Sequence, residues 1–507
     1  MAFDERFLIS SFSFKSGSTR ENQIRWIFFA FQSFSKRASI MMLSIWFEYI
    51  AFGLIFFFLF ANLTGFTLLL LSFFSVRKNI KTQGLVESMK ERFDVIAPGI
   101  SLIAPAYNEE KTLSESVKSF LMLDYPNLEI LIVNDGSSDS SLKVLIENFQ
   151  LVPSERFYDH RLSSSKVRQF YESRSYSNLF VIDKENGGKA DSINVGIGFA
   201  SKPLFCAVDS DSILERDGLL KVVIPFIEEP ETTLASGGTV RPVNGCRVEY
   251  GRVSEVRFSR NPLVLIQIVE YLRAFLFGRL GWNALGSTLI ISGAFGLFRR
   301  DVVQEAGGYR RGSLGEDMEL VVRLRRYATE NEIPFRICFV PDPICWTEVP
   351  ENIRSLSQQR DRWQQGLAES LLSNQKMFLN PRYRLAGLFA FPYFYIVELF
   401  GPIIEVLAYL MIGFGLWWGY VSLEIFLFFV IVNIVFGLFM SLAAVLIEEN
   451  AFHKYPRFGQ FLFLSLLACI EHLGYRQMTS LFRAKGLLRY FFGQSSWGKV
   501  DRQGFSG

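Results

Sequence analysis

The sequence predicts an α/β domain, a doubly wound and mostly parallel sheet, inserted between N-terminal and C-terminal transmembrane helices. Three observations predict it. Four short β-rich apolar runs, 100–104, 128–133, 179–182 and 204–208, alternate with helical stretches at about 109–122, 139–149, 189–200 and 215–227. Repeated strand–helix units form parallel sheets with helices on both faces. Charge-free apolar runs flank this region, one at 49–76 and two at 406–423 and 425–447. Bulk composition agrees. Half of the 507 residues are hydrophobic, 52 are Phe and 20% are charged, with a mean hydropathy of +0.22. That is too apolar for an ordinary soluble enzyme and too charged for an all-membrane protein.

In chain order, no secretory signal is expected in residues 1–40, which are mixed in charge and lack a clean apolar core. As a helix, 49–76 is about 42 Å long, more than the roughly 30 Å of a bilayer core. Arg77, Lys78 and Lys81 follow it, which points that end to the cytoplasm. The first forty residues are also basic, which conflicts with a single N-terminal crossing. Residues 98–345 form the α/β domain, and 346–384 are expected to be amphipathic interface helices. The C-terminal membrane region is set at 385–482. Within it, 385–397 is short and carries Pro392, with Pro402 nearby, and reads as an interfacial or broken segment. Residues 458–470 read as a third span or a re-entrant helix, followed by Glu471, His472 and Arg476. Residues 483–507 are expected to be a basic cytoplasmic tail.

Charge and composition narrow the function. A net charge of +3 gives no basis for nucleic-acid binding. The five cysteines are scattered without a CxxC pair, as suits reduced thiols in a cytoplasmic domain. With three histidines in the whole chain, any metal must rest mainly on oxygen ligands.

Four acidic motifs stand in a fixed order: VNDGSSD (133–139), VDSD (208–211), GED (315–317) and QQRDRW (358–363). Ligands of doubly wound sheets bind at the carboxyl ends of strands, and Asp135 and Asp209 each follow such an end. Asp209 and Asp211, one residue apart, suit Mg²⁺ or Mn²⁺ shared with a diphosphate; the plain alternative is a solvated turn. Asp135 suits a base or ribose, and Gly136 permits the sharp turn. Ser137, Ser138 and Asp139 can equally cap the next helix. PAYNEE (105–110), with Pro105, Tyr107 and Glu109, ends the preceding strand at the same edge. In NGGKADSIN (186–194), Lys189 opens a helix and could cradle a diphosphate, although a turn into a helix explains it too. Glu316 and Asp317 favour a helix N-terminus, or Asp317 serves as a general base whose acidic neighbour raises one pKa of the pair. Gln359, Arg362 and Trp363 share one helix face, either to hold a leaving diphosphate and a sugar or to anchor a surface helix at the membrane.

Together these motifs resemble the membrane-integrated family 2 glycosyltransferases, the inverting, processive β-glycan synthases of the poly-N-acetylglucosamine, chitin, hyaluronan and cellulose type. The resemblance covers about residues 98–370 well and the membrane parts in layout, with WGKVDRQGF (497–505) similar to the tail of bacterial relatives. It implies a GT-A fold and a UDP-sugar donor. By that resemblance Asp135, Tyr107 and Glu109 contact the uridine, and Asp209 and Asp211 hold diphosphate and metal, with Asp211 as the direct ligand. Asp317 is the base, Gln359, Arg362 and Trp363 cover donor and acceptor, and ISGAFGLF (291–298) is the acceptor-site loop. GED stands where relatives often have TED or GDD. No cyclic-dinucleotide-binding domain is expected.

The leading expectation is an enzyme that extends a polysaccharide from a UDP-sugar, with N-acetylglucosamine as the sugar. The alternatives are a single-sugar transferase acting on a lipid or small acceptor, and a non-catalytic nucleotide-sugar-binding scaffold. Expected partners are the donor, a polysaccharide or lipid-linked acceptor, the bilayer and small accessory or export subunits.

Overall fold

The computed structural model describes residues 20–89, 93–452 and 458–493. The chain divides into two compact units, one of residues 1–57 and 408–430, the other of residues 58–407 and 431–507.

The larger unit holds a ten-stranded sheet in the order β3-β4-β5-β2-β1-β6-β11-β8-β12-β7. The strands are β1 (Ile100–Ala106), β2 (Leu128–Asn134), β3 (Leu151–Ser154), β4 (Val167–Ser173), β5 (Leu179–Lys184), β6 (Leu204–Val208), β7 (Ile213–Leu214), β8 (Thr233–Pro242), β11 (Phe295–Arg299) and β12 (Arg336–Thr347). Strands β9 (Arg247–Glu249) and β10 (Arg252–Glu255) form a separate hairpin. The four expected strands are the parallel heart of the sheet, β5-β2-β1-β6. Strand β11 runs antiparallel between β6 and β8.

Side chains alternate as a two-sided sheet requires. Leu102, Ala104, Ile130 and Ile132 pack on one face with Leu113, Val117 and Phe120 of α2 (Leu113–Leu121) and Leu145 of α3 (Ser141–Phe149). Ile103, Leu131 and Val133 face the other way, against Ile193 and Ile197 of α4 (Lys189–Phe199). From β1 the chain moves outward through β2 to β5, then crosses through α4 to β6 on the other side of β1. The carboxyl ends of β1 and β6 therefore flank a topological switch point, the usual crevice for ligands in such sheets.

The long helix α1 (Arg20–Met89) contains the expected 49–76 run inside the stretch Met41–Arg77, which is long and apolar enough to cross a membrane. Among the described residues, Leu423–Ala451 and Phe458–Phe491 also meet that test, and the bent pair Ala386–Leu399 plus Gly401–Trp417 meets it when the two helices are taken together as one span. One expectation needs correction. The 406–423 run is not one helix: Gly401–Trp417 ends in a turn at residues 418–422, where Gly419 takes φ +71°. The 385–397 segment, expected to be interfacial or broken, lies in a helix that meets the next at a 46° bend before Gly401, ahead of Pro402.

Within the larger unit, Pro262–Glu270 (α5) runs through a π-helical stretch, Tyr271–Gly278, into Arg279–Ala284. Two longer helices follow, α6 (Glu316–Glu330) and α7 (Ile353–Leu372). The C-terminal helices of this unit include α8 (Phe436–Ala451), α9 (Phe458–Ile470) and α10 (Arg476–Phe491). Helices α9 and α10 break at Leu473 and Gly474, which leave helical geometry. Helix α10, with Arg476, Arg483, Lys485 and Arg489, packs on α7. Residues 483–491 are thus part of this packed helix rather than the start of a tail, and 492–493 form a turn after it. Residues 494–507, including WGKVDRQGF, lie outside the described residues.

A buried ion pair ties the sheet to α8. Arg241, at the end of β8, meets Glu448 at 2.8 Å, and both side chains are almost fully buried. Removing one partner strands a buried charge, which costs about 3–5 kcal/mol. Arg241→Met is expected to lower the thermal unfolding midpoint in detergent, and adding Glu448→Gln to recover most of the loss. Equal midpoints in the single and double variants would refute this.

In the smaller unit, Phe47 and Tyr420 pack with ring centres 5.3 Å apart, and Tyr409 meets Phe429 edge-on at 5.6 Å.

Candidate active site

Two loops close the carboxyl ends of β1 and β2 against each other. Asn108 takes φ +56°, a left-handed conformation that Asn tolerates. Its side-chain oxygen accepts from Ser138 N at 2.8 Å, while its own N–H donates to Ser137 Oγ at 3.0 Å. Ser141 Oγ accepts from Glu109 N at 2.9 Å, and Asp139 Oδ1 accepts from Ser141 N at 2.9 Å. Asp139 therefore serves the start of α3. Glu109 accepts from Thr112 Oγ1 at 2.9 Å. Pro105 lies within β1, and Tyr107 projects into solvent, half exposed.

Asp135 is buried, and its carboxylate is engaged by its own chain. It pairs with Lys184 and accepts from Gly187 N at 2.9 Å, Gly188 N at 2.8 Å and Asn186 Nδ2 at 3.2 Å. This grip shapes the Asn-Gly-Gly turn, in which Gly188 takes φ +87°. The turn aims the following residue, Lys189, into the crevice from the first turn of α4. Lys184 has no exposed surface and also meets Asp191 at 2.8 Å.

Lys189 joins two of the acidic motifs. Its Nζ lies 2.5 Å from Asp209 Oδ1 and 3.2 Å from Glu316 Oε1. It also donates to Gly293 O at 3.5 Å. Burial alone would lower the Lys189 pKa, but Asp209 and Glu316 outweigh it and drive it up. Burial lifts Glu316, Lys189 opposes the rise, and Asp317 adds to it. Arg362 acts on Glu316 in the same sense as Lys189, so the third and fourth motifs meet here.

Asp317 is oriented by two backbone donors: Gly293 N to Oδ2 at 3.0 Å and Met318 N to Oδ1 at 2.8 Å. The first comes from the ISGAFGLF segment. A Cβ at Gly293 would lie 3.0 Å from Lys189 Nζ and 3.4 Å from Asp317 Cβ, so a side chain there would press on both. Burial holds the Cys345 thiol up, with Asp209 and Asp211 adding to the effect, so this thiol lies beside the VDSD acids. Asp211 itself is buried. Among the described residues, no three His, Cys, Asp or Glu side chains converge as a cation site. Two carboxylates on one turn still fit a hard cation that takes its other ligands from phosphate and water.

The QQRDRW motif lies on α7, a helix with half of its twenty residues buried rather than a surface one. Trp363 packs on Phe275 of the π-helical stretch, with ring centres 5.5 Å apart, and Arg360 stacks over it at 4.3 Å. Gln359 accepts from Arg360 at 3.1 Å, and Arg360 pairs with Glu270 at 2.6 Å. On the next turn Gly366 touches Gly315, the residue before Glu316.

Lys189, Asp209, Glu316, Asp317 and Arg362 thus converge on one crevice, with Asp211 beside it. Asp135 acts behind Lys189, and Pro105, Tyr107 and Glu109 line the neighbouring loop edge. Sequence reading missed Lys184, Gly293 as an individual residue, Arg279 and Gly366. Arg279 is buried over Phe275 at 4.7 Å and feels the Asp317 charge. A lysine closing an apolar strand, as Lys184 does in VIDK, was the one available signal.

The model of the glycosyltransferase like family 2 matches residues 98–366, the segment that carries the sheet and all four acidic motifs. The chain belongs to glycosyltransferase family 2. Its sheet and flanking helix layers are the GT-A arrangement of that family. The poly-beta-1,6-N-acetyl-D-glucosamine synthase of Staphylococcus epidermidis is 27% identical over 300 residues, which are 59% of this chain and 61% of that one. The same-named synthase of Staphylococcus aureus strain COL is 27% identical over 277 residues, 54% of this chain and 56% of that one. The matched segment thus spans about three fifths of these curated relatives or less. Among solved structures, the mannosyltransferase PcManGT from Pyrobaculum calidifontis, in complex with GDP-Man and Mn²⁺, aligns with a TM-score of 0.48 and 14% identity, over 84% of this chain and 100% of that one. The TarS 1-349 structure from S. aureus, in complex with UDP-GlcNAc, aligns with a TM-score of 0.36 and 17% identity, over 78% of this chain and 92% of that one.

Proposed function

We propose that this protein is an inverting β-glycosyltransferase that extends a poly-N-acetylglucosamine chain from UDP-N-acetylglucosamine at the membrane. The observation that carries this reading is the meeting of Lys189, Asp209 and Glu316 beside a backbone-oriented Asp317. The names of the staphylococcal relatives support the choice of sugar.

In the proposed reaction the acceptor hydroxyl oxygen attacks the anomeric carbon of the donor sugar. The bond from that carbon to the β-phosphate oxygen breaks, and UDP leaves with the electron pair. Asp317 takes the hydroxyl proton. One displacement inverts the anomeric centre. Lys189 and Arg362 offset the charge gathering on the leaving diphosphate. Asp209 and Asp211 would hold Mg²⁺ or Mn²⁺, which supplies further charge neutralisation there. Asp135 is assigned to the nucleoside side, with Pro105, Tyr107 and Glu109 on the same edge. Gln359 and Trp363 cover donor and acceptor.

Residues 98–345 would be the catalytic domain and 346–384 its interface helices, between membrane regions at 1–97 and 385–482. The basic residues Arg77, Lys78 and Lys81 after the first span favour a cytoplasmic catalytic domain. Partners would be a polysaccharide or lipid-linked acceptor, with small accessory or export subunits.

The test is purified protein in detergent with a panel of nucleotide sugars and Mg²⁺ or Mn²⁺. UDP release and a polymeric product are expected with UDP-N-acetylglucosamine. A single-sugar adduct would overturn the polymerase assignment, and donor binding without UDP release would favour a silent scaffold.

The raised pKa of Glu316 makes a further prediction. A carboxyl whose folded pKa lies above its ordinary 4.5 stabilises the fold at low pH and loses that contribution as pH rises through the folded pKa. Lys189 limits the rise. Lys189→Met is therefore expected to lift Glu316 further, so its stability deficit against wild type grows as pH rises above the ordinary 4.5. Thermal midpoints measured upward from that pH check it; a pH-independent difference would refute it.

A further inference from the structure

We propose that α10 is a positioning element for sugar transfer, acting through Arg489 and Asp361 on the face of α7 opposite the Gln359, Arg362 and Trp363 side chains. This rests on the function proposed above.

At 100° per residue, Gln359, Arg362, Trp363 and Gly366 share one face of α7, and Asp361, Gln364 and Gln365 share the opposite one. Side chains of the second set would ordinarily be apolar if their only task were to pack. Instead all three are buried, with 4%, 1% and 2% of their surface exposed. Each has a directed partner. Arg489 meets Asp361 Oδ2 at 2.7 Å, and Gln365 donates to Asp361 Oδ1 at 2.5 Å. Arg483 donates to Gln364 Oε1 at 2.9 Å and pairs with Glu398 at 2.9 Å. Gln364 donates to the Glu398 and Leu399 carbonyls at 3.0 and 2.8 Å.

Gly486 makes this approach possible. A Cβ at that position would lie 2.6 Å from the Asp361 carbonyl oxygen. The two helices therefore meet backbone to backbone at the residue that receives the Arg489 charge.

Hydrogen bonds weaken steeply with angle, so this polar face fixes the axial rotation of α7, which an apolar seam leaves soft. A rotation of about 20° would move a side-chain tip about 6 Å from the helix axis by roughly 2 Å. Misplacements of about 1 Å can cost on the order of a hundredfold in rate. Arg489 and Asp361 touch no reacting atom; they set where Arg362 and Trp363 stand relative to Asp317.

The experiment uses the full chain in detergent. Because Arg489→Ala alone strands a buried carboxylate, the main variant is Asp361→Asn with Arg489→Ala, which removes both charges. Expected are a fall of at least about tenfold in kcat for UDP-N-acetylglucosamine turnover, a donor KM within about twofold of wild type, and a thermal midpoint close to wild type. Arg489→Lys, which keeps the charge, is expected to recover most of kcat. Unchanged kcat in the double variant, or kcat and midpoint falling together across the set, would overturn the proposal. Wild-type protein that turns over no donor would refute the assigned function instead. In that case hydrogen exchange across Ile353–Leu372 decides the positioning role, with faster exchange in the double variant expected and unchanged exchange overturning it.

Discussion

Asp317→Asn is expected to lower kcat for sugar transfer on the order of a thousandfold, within the usual range for loss of a general base. An amide cannot take the acceptor proton. It also fits its present site less well. Asp317 accepts from Gly293 N with one oxygen and from Met318 N with the other, and an Asn side chain has a single acceptor oxygen. One backbone N–H must then face an NH₂ group. Glu316→Gln keeps an oxygen that can face Lys189 and is expected to cost about tenfold or less. Donor affinity should change little in either variant, since neither removes the Lys189 or Asp209 side chain. UDP release at saturating donor, with donor binding measured separately, checks the pair. Turnover of Asp317→Asn near wild type would remove Asp317 as the base.

Gly366→Val is expected to lower transfer on the order of a hundredfold without touching a charged group. A Cβ at Gly366 would lie 2.7 Å from Gly315 Cα, 2.8 Å from Gly315 N and 3.0 Å from the Leu314 carbonyl carbon. All three are backbone atoms, so no side chain can swing aside. The reverse contact is equally close: a Cβ at Gly315 would lie 2.8 Å from Gly366 Cα. Relief requires α6 and α7 to separate, and Glu316 and Asp317 are the next residues along the chain from the contact. Overpacking of this kind costs about 1–3 kcal/mol, and the displaced acids lose on the order of a hundredfold in rate. Gly413→Ala is the control. Nothing lies within 4 Å of a Cβ there, and Ala in a helix is more favourable than Gly, so wild-type stability or slightly more is expected. Thermal midpoints and UDP release together decide it, and a fully active Gly366→Val would refute the tight coupling of α6 to α7.

The parallel heart of the sheet was legible because β1, β2, β5 and β6 are short apolar runs next to helical periodicity. Strands β8 and β12 were not. Thr233–Pro242 reads TLASGGTVRP, whose glycines and small polar residues argue against a central strand. It is nevertheless buried along its whole length. Gly237 has a structural reason, since a Cβ there would lie 2.5 Å from Ile291 Cγ2. Strand β12 carries Pro341 and Pro343 and accommodates them with a register shift between Phe339 and Ile344. In both cases pairing on each side overrode local propensity.

By itself the sequence determined the family-like order of acids and their positions. Asp135 and Asp209 follow strand ends, and Glu316 and Asp317 open a helix, because both features are set by neighbours in the chain. It also determined the apolar stretches, since spanning length is a local count. Only the tertiary structure decided that Lys189 bridges Asp209 and Glu316, that Lys184 is buried between Asp135 and Asp191, and that Gly315 meets Gly366. It alone decided that Arg489 closes on Asp361 from 128 residues away. These are pairings of charges and close approaches of backbone between distant segments. Their energy depends on burial and distance, which no local pattern records.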